Sequence, residues 1–415
     1  MPTFEDLYEQ VAKSTLAGES DEQIRTKTLH FDRQALACLL HPEKYAPVWR
    51  TGDCDCSSDK AGCAAKCPFG AMEIDDDGNV AVNADRCVGC TECIERCEGG
   101  HFTVSRDTVP VLRAVRDGDA PVYAIVAPAF IGQFAEDITP GQLRAAFKAL
   151  GFAGMVEVAL FADILTLKEA LEFDATIHTD KDFLLTSCCC PMWIAMIRKV
   201  YAQLTPHIPG AVSPMIACGR VVKRLAPGAK VVFIGPCLAK KAEAREPDIA
   251  DAVDYVLTFQ ETQDIFRLAG VRPEDFPPDD REHSSRGGRI YARAGGVSEA
   301  VRATVSRLSP DREIPLKSTA ASGVPACRAL LDRLKNGEID CNFLEGMGCV
   351  GGCVGGPRAL IGREEGAEHV DHYGDRAAYA TPLDNPHVLE LLQRLGFDTV
   401  EQLLTEDTLF TRHFD

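Results

Sequence analysis

Residues 122–128, Val-Tyr-Ala-Ile-Val-Ala-Pro, form a short apolar run rich in β-branched side chains and closed by a proline. Such a run predicts a strand buried on both faces. Similar runs recur downstream at 156–161 (VEVALF), 183–185 (FLL), 231–235 (VVFIG) and 255–259 (YVLTF), with amphipathic stretches between them. One of these stretches is marked at both ends. Thr139 stands as N-cap and Pro140 in the first turn, Leu143, Phe147 and Leu150 share a face, and Gly151 follows. Strands alternating with helices in this way predict an α/β region built on parallel sheets.

Three cysteine motifs lie inside this region, two of them directly after expected strands, where parallel α/β folds place their ligand sites. They are Thr186-Ser187-Cys188-Cys189-Cys190-Pro191-Met192-Trp193, Gly235-Pro236-Cys237-Leu238-Ala239-Lys240-Lys241-Ala242-Glu243, and Glu345-Gly346-Met347-Gly348-Cys349-Val350-Gly351-Gly352-Cys353-Val354-Gly355-Gly356-Pro357. Together they could supply four thiolates from three loops around a buried cluster. The glycines at 351, 352, 355 and 356 would let backbone approach a bulky inorganic ligand.

Upstream, eight cysteines fall between residues 53 and 100. Cys87-x2-Cys90-x2-Cys93-x3-Cys97 has the spacing of a cubane loop, and Cys54-x-Cys56-x6-Cys63-x3-Cys67-Pro68 is its companion, looser at the first pair. In two-cluster ferredoxins the fourth cysteine of each run ligates the other cluster. One 4Fe-4S cluster would therefore take Cys54, Cys56, Cys63 and Cys97, and the other Cys87, Cys90, Cys93 and Cys67. Zinc seldom uses three cysteines of one seven-residue loop. Between the two runs, residues 73–82 (EIDDDGNVAV) predict two short strands around an Asp77-Gly78-Asn79 turn. A small α+β ferredoxin-like domain with two 4Fe-4S clusters follows, and two closed shells of four thiolates suit electron transfer.

The whole chain of 415 residues carries 18 cysteines and a formal charge of −18, from 44 basic and 62 acidic residues. That balance argues against nucleic acid and anionic membrane surfaces as partners. Residues 1–7 have no basic and apolar leader pattern and no apolar run is long enough to cross a bilayer, so a cytoplasmic location without membrane insertion is expected. Thiols there stay reduced, which favours metal ligation over disulfides. None of the ten histidines joins a cysteine pair at zinc-finger spacing, so sulfur-only coordination and iron-sulfur chemistry are expected. Four parts follow: a helical arm at 1–52 with Cys38 as a core residue, the ferredoxin-like domain at 53–105, a catalytic domain at 106–360 and a C-terminal helical cap at 361–415. Asn385-Pro386 opens the last clear helix, with Val388, Leu392 and Leu395 on its apolar face and Gly396 after it.

The three downstream motifs resemble the signatures of the FeFe-hydrogenases, T-S-C-C-P-x-W, M-P-C-x-x-K-x-x-E and E-x-M-x-C-x-x-G-C. The similarity runs from about Cys54 to Pro357 and includes an Ala162-Asp163 helix start and a Gly295-Gly296-Val297 turn. The resemblance implies an oxidoreductase that catalyses reversible H2 oxidation and proton reduction at an H-cluster. Cys190, Cys237, Cys349 and Cys353 would hold its 4Fe-4S half, and Cys353 would bridge to a di-iron subcluster bearing carbon monoxide, cyanide and an amine-containing dithiolate. Lys240 matches the lysine that hydrogen-bonds a cyanide, and Met347 the methionine of the third motif. Protons would pass from Glu172 through Glu169, on one side of a helix, to Cys189.

Three departures mark a divergent subclass. Gly235 stands for the usual methionine before Pro-Cys, removing an apolar side chain beside the di-iron site. Cys188 is an extra thiol at a non-thiol position, and Pro209 falls near the place of a relay serine. The implied partners are H2 and protons, a ferredoxin or similar electron carrier, and hydrogenase maturation proteins. The rival readings are an H2 sensor with slow turnover and a non-catalytic relative acting in iron-sulfur assembly.

Overall fold

A computed structural model describes residues 3–54, 60–278 and 282–414. Its strands are β1 (Val48–Arg50), β2 (Met72–Ile74), β3 (Val80–Val82), β4 (Phe102–Val104), β5 (Val122–Val126), β6 (Gly154–Glu157), β7 (Leu184–Leu185), β8 (Lys230–Gly235), β9 (Tyr255–Thr258), β10 (Ser318–Ser322) and β11 (Phe343–Met347). Two parallel sheets dominate. The first has the order β6-β5-β8-β9, with Ile125 paired to Val156 on one side and Phe233 on the other. The second, β10-β11-β7, pairs Phe343 with Ser318 and with Leu184. Being central, β5 and β8 are buried almost throughout, as their continuous apolar runs require.

The helix Pro140–Ala149 begins as its sequence specifies. Thr139 and Gln142 form a reciprocal capping box, Pro140 stands in the first turn, and Leu143 and Phe147 are buried. The next element departs from expectation. The strand expected over 156–161 ends at Glu157, and the helix Ala159–Thr176 takes over, so Ala162 and Asp163 lie within the helix instead of at its start. The change occurs at Val158, whose N–H still bonds Val126 O while its carbonyl already accepts from Ala162 N. Thirteen of the 18 residues of this helix are buried, so it has no polar face to give a helical period. Asp163, wholly buried, accepts from Ser285 N and Oγ, Gly288 N and Asn385 Nδ2, fastening two segments to the helix. Burial outweighs those bonds and pushes its carboxyl up to about 6.

The arm holds the helices Phe4–Leu16, Asp21–Lys27 and Arg33–Leu40 around Leu7, Val11, Leu36 and Leu39, with Cys38 in the core. It is not helical to its end. Val48 and Trp49 belong to β1, which pairs antiparallel with β4 through Val48 and Val104. The β2–β3 pair turns at Gly78 as expected. The C-terminal helices Arg363–Asp375 and Pro386–Arg394 precede a 3-10 turn, Val400–Leu404, that packs on the helix Ala159–Thr176. Asn385 caps the second of them, and Val388 and Leu392 are buried. Among the described residues, no helix is long and apolar enough to cross a membrane.

Candidate functional site

The three downstream motifs follow the C-terminal ends of β7, β8 and β11, so two sheets deliver them to one place. After β7, Ser187 takes a left-handed backbone (φ 69°), a costly conformation for a residue with a side chain. It turns the chain into the helix Pro191–Val200, where Cys190 is the N-cap residue. Trp193, wholly buried, donates from Nε1 to Thr186 O at 2.8 Å and fixes this turn. Its ring lies where a side chain on Gly346 of β11 would stand, 2.1 Å from a Cβ there.

Cys190, Cys237, Cys349 and Cys353 sit within one another's electrostatic reach, and none is in a disulfide. Burial pushes Cys237 up to about 11 and Cys353 up to about 12, and Cys349 well above the ordinary thiol; the neighbouring thiols raise all three further. Gly348 N donates to Cys190 Sγ at 3.3 Å. A soft donor set with an N–H aimed at sulfur fits an iron-sulfur group. Among the described residues, no three His, Cys, Asp or Glu side chains close on a point as they would around a single ion, and a cubane asks for thiolates standing further apart. Three glycines of the third motif also allow close packing of the chain on itself. A Cβ on Gly352 would meet Ala294 N at 2.6 Å, on Gly355 Val350 O at 1.9 Å and on Gly356 Pro236 Cβ at 2.9 Å. They let loops pack on each other.

Glu169 is wholly buried beside this set. Thr186 Oγ1 donates to its Oε2, and Cys188 Sγ donates to its Oε1 at 3.2 Å. The thiol bonded to Glu169 is therefore Cys188, where the resemblance implied Cys189. Cys189 feels Cys353, Cys190 and Lys240. Burial pushes the Glu169 carboxyl up to about 7, and it drives both thiols well above their ordinary value, so they stay protonated. Glu172, one turn further along the helix, is ion-paired with Lys168 at 3.2 Å. Among the described residues no side chain hydrogen-bonds to both glutamates.

Lys240 is 6% exposed, which removes it from the surface. Its Nζ donates to Glu243 Oε2 at 2.6 Å and to Ser213 Oγ at 3.1 Å. Burial works against its charge, but Glu243, Cys237 and Cys189 hold the ammonium above the ordinary lysine value. The side chain missing at Gly235 is replaced from two residues away. The Phe233 ring lies 2.8 Å from where a Cβ on Gly235 would be, on the same strand face, and Lys240 Nζ lies 5.9 Å from that ring's centre. Met347 is buried at the end of β11. Sequence reasoning missed Phe233, Thr186 and Lys168; Phe233 alone left a signal, as an aromatic at i−2 to an unexpected glycine.

Upstream, Cys54, Cys63, Cys67, Cys87, Cys90, Cys93 and Cys97 line one cavity with Phe69, Val88 and Phe102; Cys56 lies outside the described residues. Burial pushes Cys90 and Cys93 up to about 12 and raises Cys87, and each of the three also feels Cys67. Backbone N–H groups of Ala71 and His101 point at Cys67 and Cys97 Sγ, both at 3.3 Å. The Cys87–Cys93 loop touches the downstream cysteine region directly. Gly89 (φ 70°) leaves only 3.1 Å between its Cβ position and the backbone of Leu238 and Ala239. Cys90 and Cys349 line one groove, and Cys90 contributes to the field at Cys349.

Fold and site together define a parallel α/β protein with buried thiol clusters suited to iron and sulfur. The chain belongs to the family described as iron only hydrogenase large subunit, C-terminal domain, whose model matches residues 120–357. It is 27% identical over 295 residues to the periplasmic Fe hydrogenase large subunit of Nitratidesulfovibrio vulgaris, covering 59% of this chain and 70% of that one. It is 26% identical over 386 residues to the cytosolic iron-sulfur assembly component 3 of Pongo abelii, covering 75% and 79%. Its fold matches that of a FeFe-hydrogenase from Chlamydomonas reinhardtii with a TM-score of 0.61 at 22% identity, over 74% of this chain and 98% of that one.

Proposed function

We propose that the chain is a FeFe-hydrogenase of a divergent subclass, interconverting H2 with protons and electrons. The observation that carries this reading is the buried thiol-to-carboxylate bond between Cys188 and Glu169, next to four cysteines and a buried lysine. A wholly buried acid raised by burial to about 7 and bonded to a thiol is suited to passing a proton.

On this reading Cys190, Cys237, Cys349 and Cys353 would hold the H-cluster, Cys353 being the ligand that the resemblance places between its two halves. When bound, the di-iron half supplies an open iron for H2 and an amine base beside it. Lys240, held by Glu243 and Ser213, would offer its ammonium to a cyanide of the bound group. Met347 and Phe233 wall the site. Protons leave through Cys189, Cys188, Glu169 and Glu172, and Cys188 fills a step that the usual pattern gives to no thiol. Residues 53–105 form the ferredoxin-like domain, with two 4Fe-4S clusters on the eight cysteines named above. The Cys90 loop, packed on the Cys237 turn, would set an upstream cluster beside the H-cluster as the route for electrons, with a ferredoxin or similar carrier as their source. Maturation proteins load the site, and the protein works in the cytoplasm.

A second reading is favoured by one observation. The similarity to the Pongo abelii assembly component covers 75% of this chain, so a non-catalytic role in iron-sulfur assembly is the rival; slow turnover in an H2 sensor is a variant of the main reading. Infrared spectroscopy of protein coexpressed with hydrogenase maturases separates them. Bands from iron-bound carbon monoxide and cyanide, with H2 evolution from a reduced dye, are expected. Correctly matured protein without such bands would transfer the assignment to assembly.

A further inference from the structure

The helix Ala159–Thr176 buries one charge that no step above uses. Lys168 is 2% exposed, with Nζ 2.9 Å from the carbonyl of Leu403 and 3.2 Å from Glu172 Oε1. A lysine is rarely so buried unless paired. Here one partner is a turn along its own helix and the other belongs to the Val400–Leu404 turn of the C-terminal cap. The second carboxylate oxygen, Glu172 Oε2, is buried with no hydrogen-bond partner, yet the side chain as a whole keeps 16% of its exposure. One oxygen is clamped, and the other is left for a mobile proton donor or acceptor.

We propose that Lys168 is a positioning residue that fixes the Glu172 carboxylate at the outer end of the proton path. This rests on the proton-path reading above. Burial raises Glu172, and Lys168 opposes that rise. A proton leaving Glu169, whose carboxyl burial raises to about 7, needs an acceptor further out, and the Lys168 ammonium 3.2 Å from Glu172 favours the charged form that can take it.

Other charges do not do this. Glu172 acts on Glu169 and Cys188, and its own charged influence is Lys168. On the neighbouring helices, Arg220 pairs with Asp251, Lys223 with Asp254, Arg286 with Glu299 and Asp375, Arg289 with Glu282, and Arg307 with Asp384. Arg224, Glu390, Arg394 and Glu401 are exposed.

The test uses Lys168→Met, Lys168→Arg and Glu172→Gln, with Lys168→Gln as the substitute should the methionine variant not fold. In full-length unmatured protein, the carboxyl infrared band that Glu172→Gln abolishes is titrated. Loss of the charge in Lys168→Met should move its midpoint up by about one pH unit, a tenfold change in the ionisation constant, and Lys168→Arg should restore it. In matured enzyme the rising limb of the pH profile for H2 oxidation should move the same way, with no further movement on adding Lys168→Met to Glu172→Gln. An unmoved titration midpoint overturns the proposal, even where the melting temperature falls. Absence of H2 turnover in the matured parent would overturn the hydrogenase reading instead, and the titration would still decide whether Lys168 sets Glu172.

Discussion

Cys188 Sγ lies 3.2 Å from Glu169 Oε1, a thiol donating to a carboxylate in a pocket without solvent. Cys189 has Cys353, Cys190, Lys240 and Glu169 among its electrostatic neighbours, and on the proposed outward path it precedes Cys188. Cys188→Ala and Cys189→Ala should each lower H2 turnover by roughly 10²–10⁴-fold, the usual worth of a placed proton carrier, and leave the carbonyl and cyanide bands in place. Cys190→Ala should remove those bands. Full turnover in Cys188→Ala would take Glu169 out of the path.

Glu169 also sets a pH dependence of stability. Its folded carboxyl, raised by burial to about 7, exceeds the ordinary 4.5, so the native state keeps a proton that the unfolded chain releases. Its contribution is fully present below about 4.5 and is lost as pH rises through about 7. Chemical denaturation from pH 4 to 8 should show the parent losing on the order of 1–3 kcal/mol relative to Glu169→Gln across that window. Parallel curves would mean that Glu169 is ionised throughout.

Phe233 and Gly235 are a matched pair. With the ring 2.8 Å from the glycine's Cβ position, Gly235→Met alone overfills the site and should cost roughly 1–3 kcal/mol. The double variant with Phe233→Ala should recover most of this, because the two share one volume. Thermal melts of the four proteins check it, and additive losses would show that the ring does not fill the methionine's place.

The upstream cysteines should act as a wire. Cys93→Ser should slow electron exchange with an external carrier and spare the infrared bands of the H-cluster, since Cys93 sits with Cys67, Cys87 and Cys90 and is not one of the four downstream thiols proposed to hold that cluster. Loss of the bands would make residues 53–105 a folding element.

Much of the architecture was legible where local signals agree. Thr139, Pro140 and Gly151 bound their helix, and the runs at β5, β8 and β9 are too apolar and too short for anything but buried strands. The helix Ala159–Thr176 was misread at its start because a helix buried on all sides shows no period. β10 and β11 escaped notice, the first being small and half-buried (STAAS) and the second holding a glycine and a glutamate. The order of the cysteine motifs located the site, but not which thiol meets Glu169, in a turn whose left-handed backbone at Ser187 serine does not announce.

The sheet that carries β7 and β11 and the sheet that carries β8 share no strand. A group held by Cys190, Cys237, Cys349 and Cys353 is therefore a covalent cross-link between two halves of the molecule, closing long loops of chain. Cross-links of that kind act chiefly on the unfolded ensemble, whose entropy falls with the logarithm of loop length, to the extent of about 4 kcal/mol for loops of a hundred residues. Loading the site would then be paid back in resistance to unfolding, and a cell short of iron would hold a chain that proteases open more often than its loaded twin.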